Sequence, residues 1–123
     1  LPRDNALKVE GLDNVFCGGE KAGLLVGHTE AIITGTLAGH NAARAALGKE
    51  PAVIPESLAC GDAIAFVRAS MQTPEGLTKK YTFSGSVYFE HMKAKNLYTT
   101  DVAAIKDRVE KAGMTGFFAR ALG

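Results

Sequence analysis

From Thr29 to Leu47 the apolar positions Ile32, Ile33, Leu37, Ala38, Ala42 and Ala46 recur at the spacing of one helical face, and Gly48 supplies a C-terminal stop. Upstream, Leu7-Lys8-Val9 alternates, Gly11-Leu12-Asp13-Asn14 is rich in turn formers, and Val15-Phe16-Cys17 is apolar. This pattern predicts two short strands joined by a tight connection, the second ending at Gly18-Gly19. After Pro51 a second helix is expected, with Pro55 in its first turn and Glu56 at its positive dipole end. Leu58, Ala59, Ala63, Phe66 and Val67 form its buried stripe, and Pro74 ends it between Ser70 and Thr73. Residues 74–86 carry no such periodicity, and Tyr81-Thr82-Phe83 reads equally as strand or loop. Ser86 caps a third helix through Val87, Tyr88, His91, Met92 and Lys95, closed by Asn96. Thr100 caps a fourth, from Asp101 to Ala112, with Val102, Ile105 and Val109 inward and Gly113 as the stop. The tail Phe117-Phe118-Ala119-Arg120 is apolar enough to dock on the rest. The fold class is therefore mainly α with a small β element (α+β): an N-terminal strand pair, then about four helices, divided into residues 1–48 and 49–123.

Glycine placement sharpens this picture. Gly35 and Gly39 inside the first helix each cost about 1 kcal/mol relative to alanine, so a closely packed neighbour must offset the loss. Their G-x-x-x-G spacing matches a membrane dimer seam, but His40, Asn41 and Arg44 rule out a lipid-buried helix. Gly18 and Gly19 at a strand end point to close backbone approach by something flat or charged.

Composition narrows the function classes. At 123 residues and 46% hydrophobic, the chain has the apolar material for one modest globular core, which excludes disorder. The net charge of +1 provides no whole-molecule field for nucleic acid or an acidic membrane. Residues 1–61 hold 5 Lys/Arg against 7 Asp/Glu, and residues 62–123 hold 9 against 6, so only the second half leans basic. Cys17 and Cys60 lie far apart, outside any zinc-knuckle or disulfide-scaffold spacing, and imply a reducing compartment. His28, His40 and His91 lack metal-site spacing, and no metal is expected. No apolar run is long enough to cross a bilayer, and the start Leu1-Pro2-Arg3-Asp4 is not that of a signal peptide. A cytoplasmic fragment of a larger protein is the expectation.

A helix that begins just after a glycine-rich strand end offers unpaired N–H groups and a partial positive charge to an anion. Here the donors are the backbones of Gly27, His28 and Thr29. The run Val15-Phe16-Cys17-Gly18-Gly19-Glu20, then Gly27-His28-Thr29-Glu30 and the small-residue helix through Gly35, Gly39 and Ala43, resembles the closing strand-loop-helix of an FAD-binding domain. Residues 7–47 are similar to the C-terminal FAD motif of the glucose-inhibited-division-protein-A-related flavoproteins. These are FAD-dependent oxidoreductases similar to the folate- and FAD-dependent tRNA uridine methyltransferases. The resemblance implies FAD as cofactor, a helix that covers the flavin, and Gly18, Gly19, Glu20, Gly27, His28 and Thr29 as cofactor-binding residues. Glu20 would accept hydrogen bonds from the ribityl hydroxyls, and His28 could donate or relay a proton. It also implies tRNA modification, an accessory helical domain after residue 48, and the remainder of the flavoprotein as partner. The dinucleotide-binding G-x-G-x-x-G turn would lie upstream, so the chain alone should bind FAD weakly or not at all.

Other candidates weigh less. Cys17 in mid-strand and Cys60 on the apolar side of helix two read as buried small hydrophobes. Glu30 supports its helix from the first turn and should face solvent or a basic neighbour. Lys79, Lys80, Lys93 and Lys95 with Tyr81, Tyr88 and Tyr98 have the residue types of an RNA-binding surface, although the modest charge excess favours a solvated face. The alternative function is accordingly a non-catalytic helical module that binds RNA or a protein partner through residues 76–123. A glycine-bearing face on the first helix, left without its sheet, predicts a homo-oligomer that buries Ile32, Gly35 and Gly39.

Overall fold

A computed structural model of the chain describes residues 3–19, 27–72 and 86–119. Its elements are α1 (His28–Ala46), α2 (Ala59–Ser70), α3 (Ser86–Ala94), α4 (Val102–Lys111) and a short 3-10 turn at Phe117–Ala119. The mainly α architecture with four helices matches the sequence pattern. The strand pair contracts to two isolated antiparallel bridges, Arg3 with Val9 and Lys8 with Phe16. Asp4 is the reason: its carboxylate accepts from the N–H of Ala6 and Lys8 at 2.9 and 3.0 Å, curling the chain where a ladder would run. Leu7 then sits at φ +67, outside the strand region.

In α1 the buried positions are Glu30, Thr34, Leu37, Ala38 and Asn41, spaced by four, three, one and three residues. Leu37 and Ala38 are inward as expected. Ile32 is 68% exposed instead, and Ala42 and Ala46 are exposed with it. Polar anchoring rotates the helix. Asn41 Nδ2 donates to the carbonyls of Ala6 and Ala52 at 2.8 Å each, and its Oδ1 accepts from Ala52 N at 2.6 Å. That amide ties α1 to the N-terminal segment and to the stretch after Gly48, which turns the chain at φ +72.

Helix α2 begins at Ala59, after an extended N-cap at Leu58, so Pro55 and Glu56 precede it rather than open it. Gly61 lies beneath that approach, where a β-carbon would overlap the carbonyl oxygens of Ile54 and Pro55. The helix serves two apolar clusters. Ile64 joins Leu7, Val9, Cys17, Leu37, Ala38 and Ile54, while Ala63 and Val67 join Tyr88 and Met92 of α3. Arg3 is fully buried and donates from Nη1 to Ile64 O at 3.0 Å, while Arg68 Nε donates to Arg3 O at 3.1 Å. Burial pushes the Arg3 guanidinium down to about 10.

The cap of α4 is Asp101, not Thr100: its carboxylate accepts from Ala103 N at 3.0 Å and Ala104 N at 3.4 Å, a role an ionised oxygen fills better than a hydroxyl. Val102 is 76% exposed and no residue of α4 is buried, against the inward stripe expected there. The tail docks on α1, with the rings of Phe117 and Phe118 each 5.0 Å from the His40 ring and the Arg44 guanidinium 6.0 Å from that of Phe117. Burial, then the nearby Arg44 charge, lowers the His40 pKa. No described helix is long and apolar enough to cross a membrane.

Candidate functional site

The amino end of α1 is built on glycine. Gly27 is the N-cap at φ +116, a conformation that favours glycine, and no side chain caps the helix. The first helical bond runs from Ala31 N to Gly27 O at 3.0 Å, so the N–H groups at His28 and Thr29 belong to the first turn, which has no internal acceptor.

Glu30 occupies the third helical position and is only 6% exposed, so of the two settings expected for it, solvent or a basic neighbour, the first does not hold. A β-carbon on Gly27 would come 2.5 Å from its Oε1. The carboxylate therefore folds back over its own N-cap. A negative charge at the positive end of the macrodipole is favourable there, and the missing side chain at Gly27 leaves the room.

One turn on, Thr34 is fully buried. Its hydroxyl donates to Glu30 O at 2.8 Å and accepts from Gly19 N at 2.7 Å. Gly19 adopts φ +65 to present that N–H. A β-carbon on Gly18 would lie 2.9 Å from Gly35 Cα, so the backbone that Gly18 approaches closely is that of α1. These contacts account for Gly18, Gly19 and Gly27 in local terms and draw the glycine segment onto the start of the helix. Cys17 is buried in the adjacent cluster, where burial raises its thiol pKa, as a small apolar residue would be placed. Glu20 lies outside the described residues, as does the side chain of His28.

A second polar cluster joins α2 to α3. Asp62, 1% exposed, accepts from Tyr88 Oη at 2.9 Å and Lys95 Nζ at 2.8 Å, and its Oδ2 is 2.8 Å from His91 Nε2. Burial opposes the Asp62 charge, but the hydrogen bonds from Lys95 and Tyr88 and the attraction of His91 and Lys95 outweigh it and hold the carboxyl below its ordinary range. Burial and that same carboxylate push the Tyr88 phenol well above its usual value. His91 also stacks on Phe66 at 4.4 Å. The cluster went unrecognised in the sequence because Asp62 stands alone within an apolar run. The signal available was the i, i+3, i+7 spacing of Tyr88, His91 and Lys95 on one helical face.

That geometry commits some of the residues read as RNA contacts. Lys95 is held by Asp62, and Lys93 pairs with Glu90 at 3.2 Å over the face of Phe89. Lys79, Lys80 and Tyr81 lie outside the described residues. Among the described residues no group of His, Cys, Asp and Glu has the arrangement of a metal site.

No curated protein and no solved structure matches the chain. The model of the family described as Glucose inhibited division protein A matches residues 2–50, a span that holds the Gly18-Gly19 segment, the Gly27 cap and all of α1. The match supports a relation between this segment and that family of FAD-dependent flavoproteins.

Proposed function

We propose that the chain is the C-terminal part of an FAD-dependent oxidoreductase, in which α1 covers the flavin and residues 49–123 form an accessory helical unit. The carrying observation is that the family match encloses a glycine-capped helix end with no side-chain cap. The donor set would present backbone N–H groups at Gly27, His28 and Thr29 to the electron-rich N1–O2 edge of a flavin, beside the Glu30 carboxylate that takes up the space left by the absent β-carbon at Gly27. FAD would supply the electron-transfer chemistry. The chain's part is to orient the ring and to set the charge beside it. Gly18 and Gly19 hold the preceding backbone against Thr34 and Gly35, beside the helix end proposed to face that edge. Glu20 is retained as the candidate acceptor for the ribityl hydroxyls.

The Glu30 carboxylate already shares this helix end, so it opposes any negative charge that develops on a bound ring. The remainder of the flavoprotein is the primary partner, with a cytoplasmic location and tRNA modification as the family-based reading. Purification of the natural gene product that carries this chain tests the proposal. It should show oxidised-flavin absorbance that bleaches on reduction, whereas residues 1–123 alone should bind FAD weakly or not at all. A colourless product that takes up no added FAD, together with salt-sensitive RNA binding by the chain, would overturn it in favour of the helical binding module.

A further inference from the structure

The start of α2, the α3–α4 connection and α4 enclose a cavity of about 270 Å³ that no part of the flavin reading uses. Its wall is mainly hydrocarbon and includes Leu58, Met92, Leu97, Ile105 and Val109. Helix α4 forms one side of it without a single buried residue, so its apolar side chains line a cleft rather than a filled core. Roughly 300–1,000 Å³ is usual for drug-sized ligands, which makes this a pocket for something smaller.

Among the described residues of the wall, Arg108 is the one that carries a charge. Its Nη1 and Nη2 donate to the carbonyls of Leu97 at 2.8 Å and Asn96 at 3.0 Å, which anchors the guanidinium and leaves the rest of its five N–H groups for another acceptor. Among the described residues no carboxylate forms an ion pair with it: the nearby Asp107 is taken by Lys111 at 2.9 Å, and Asp101 caps α4. A fixed cation at an apolar wall calls for an anionic head on a hydrocarbon body.

We propose that this cavity binds a small apolar carboxylic acid, with its body among Met92, Leu97, Ile105 and Val109 and its carboxylate on Arg108. Cys60 also lines the cavity and reports on its occupancy. The test titrates the 123-residue chain with 4-phenylbutyrate and, separately, with the neutral 4-phenylbutyramide, reading side-chain methyl NMR shifts and the rate of Cys60 alkylation. The acid should shift the Met92, Leu97 and Ile105 methyl signals saturably, slow Cys60 alkylation, and bind about tenfold tighter than the amide. Arg108→Gln should reduce the acid to the affinity of the amide. Because Arg108 also holds the Asn96–Leu97 carbonyls, Ile105→Trp provides an independent check, filling the cavity and abolishing both ligands. Equal affinity for acid and amide, the absence of a saturable shift, or methyl shifts that follow protein concentration without either probe would each overturn the proposal. The last would assign the cavity to a second copy of the chain.

Discussion

Asn41 has no exposed surface and uses its whole amide on the backbone of two other segments. Asn41→Leu would leave a buried N–H and carbonyl groups of Ala6 and Ala52 without partners, at a cost of about 2–4 kcal/mol, read as a lower urea midpoint with unchanged slope. Gly18 is constrained differently. Gly18→Ala drives a methyl group to 2.9 Å from Gly35 Cα, where neither backbone can yield cheaply, and should destabilise by about 1–3 kcal/mol. Gly39 faces open space, so Gly39→Ala in the chain alone should stabilise by up to about 1 kcal/mol through helix propensity. Glu30→Gln separates two roles at one position. Loss of the dipole-aligned charge should weaken α1 by about 0.5 kcal/mol, while FAD affinity in the flavoprotein should rise severalfold as the competing anion disappears. Thermal melts of the chain and flavin titration of the whole protein read the two effects separately. Close backbone approach at Gly18 was legible in the sequence, but its partner, the backbone of α1, was not, and the room that Gly27 leaves for the Glu30 carboxylate emerged only in the fold.

Among the elements, α3 depends on one carboxylate. Tyr88, His91 and Lys95 all reach Asp62, so Asp62→Asn removes the charge that holds the polar edge of the α2–α3 contact and should cost about 2 kcal/mol. The folded-state pKa of Asp62 is depressed, so its contribution is fully present above the unfolded carboxyl value near pH ~4 and is lost as pH falls through the lower folded value. The stability gap between wild type and Asp62→Asn should therefore hold at neutral pH and close below about pH 4 in urea titrations. Lys95 is raised, chiefly by its hydrogen bond to Asp62, so its share persists through neutral pH and is lost only above the ordinary lysine range. Helix positions were readable because apolar spacing, Gly48 and Gly113 mark them locally. Which face of each helix turns inward was not, because in α1 that choice is made by Asn41 and Thr34, whose partners lie elsewhere in the chain.

For the whole molecule, the outward face of α1 is the surface that bears on assembly. Ile32, Gly35 and Gly39 lie exposed together, a surface that the proposed remainder of the flavoprotein or a second copy would cover. Light scattering behind size-exclusion chromatography should give a dimer or larger species for the chain alone, and Ile32→Lys should shift it to monomer. A wild-type monomer at high concentration would leave that face to the flavoprotein partner. The opposite test is available in the natural product: if the face is covered there, Gly39→Ala should destabilise the assembled protein even though it stabilises the isolated chain.

The sequence by itself determined the mainly helical class, the stops at Gly48 and Gly113, and the glycine-rich approach to α1, because periodicity and backbone freedom are local properties. It also carried the family signal within residues 2–50. Only the tertiary structure decided that Glu30 bends back over Gly27, that Asp62 gathers Tyr88 and His91 of α3 and Lys95 just beyond it, and that Arg108 stands at an apolar cavity without a carboxylate in an ion pair among the described residues. Each of these depends on groups brought together from other turns or elements, and a buried charge is stabilised only by the partners that the completed fold supplies.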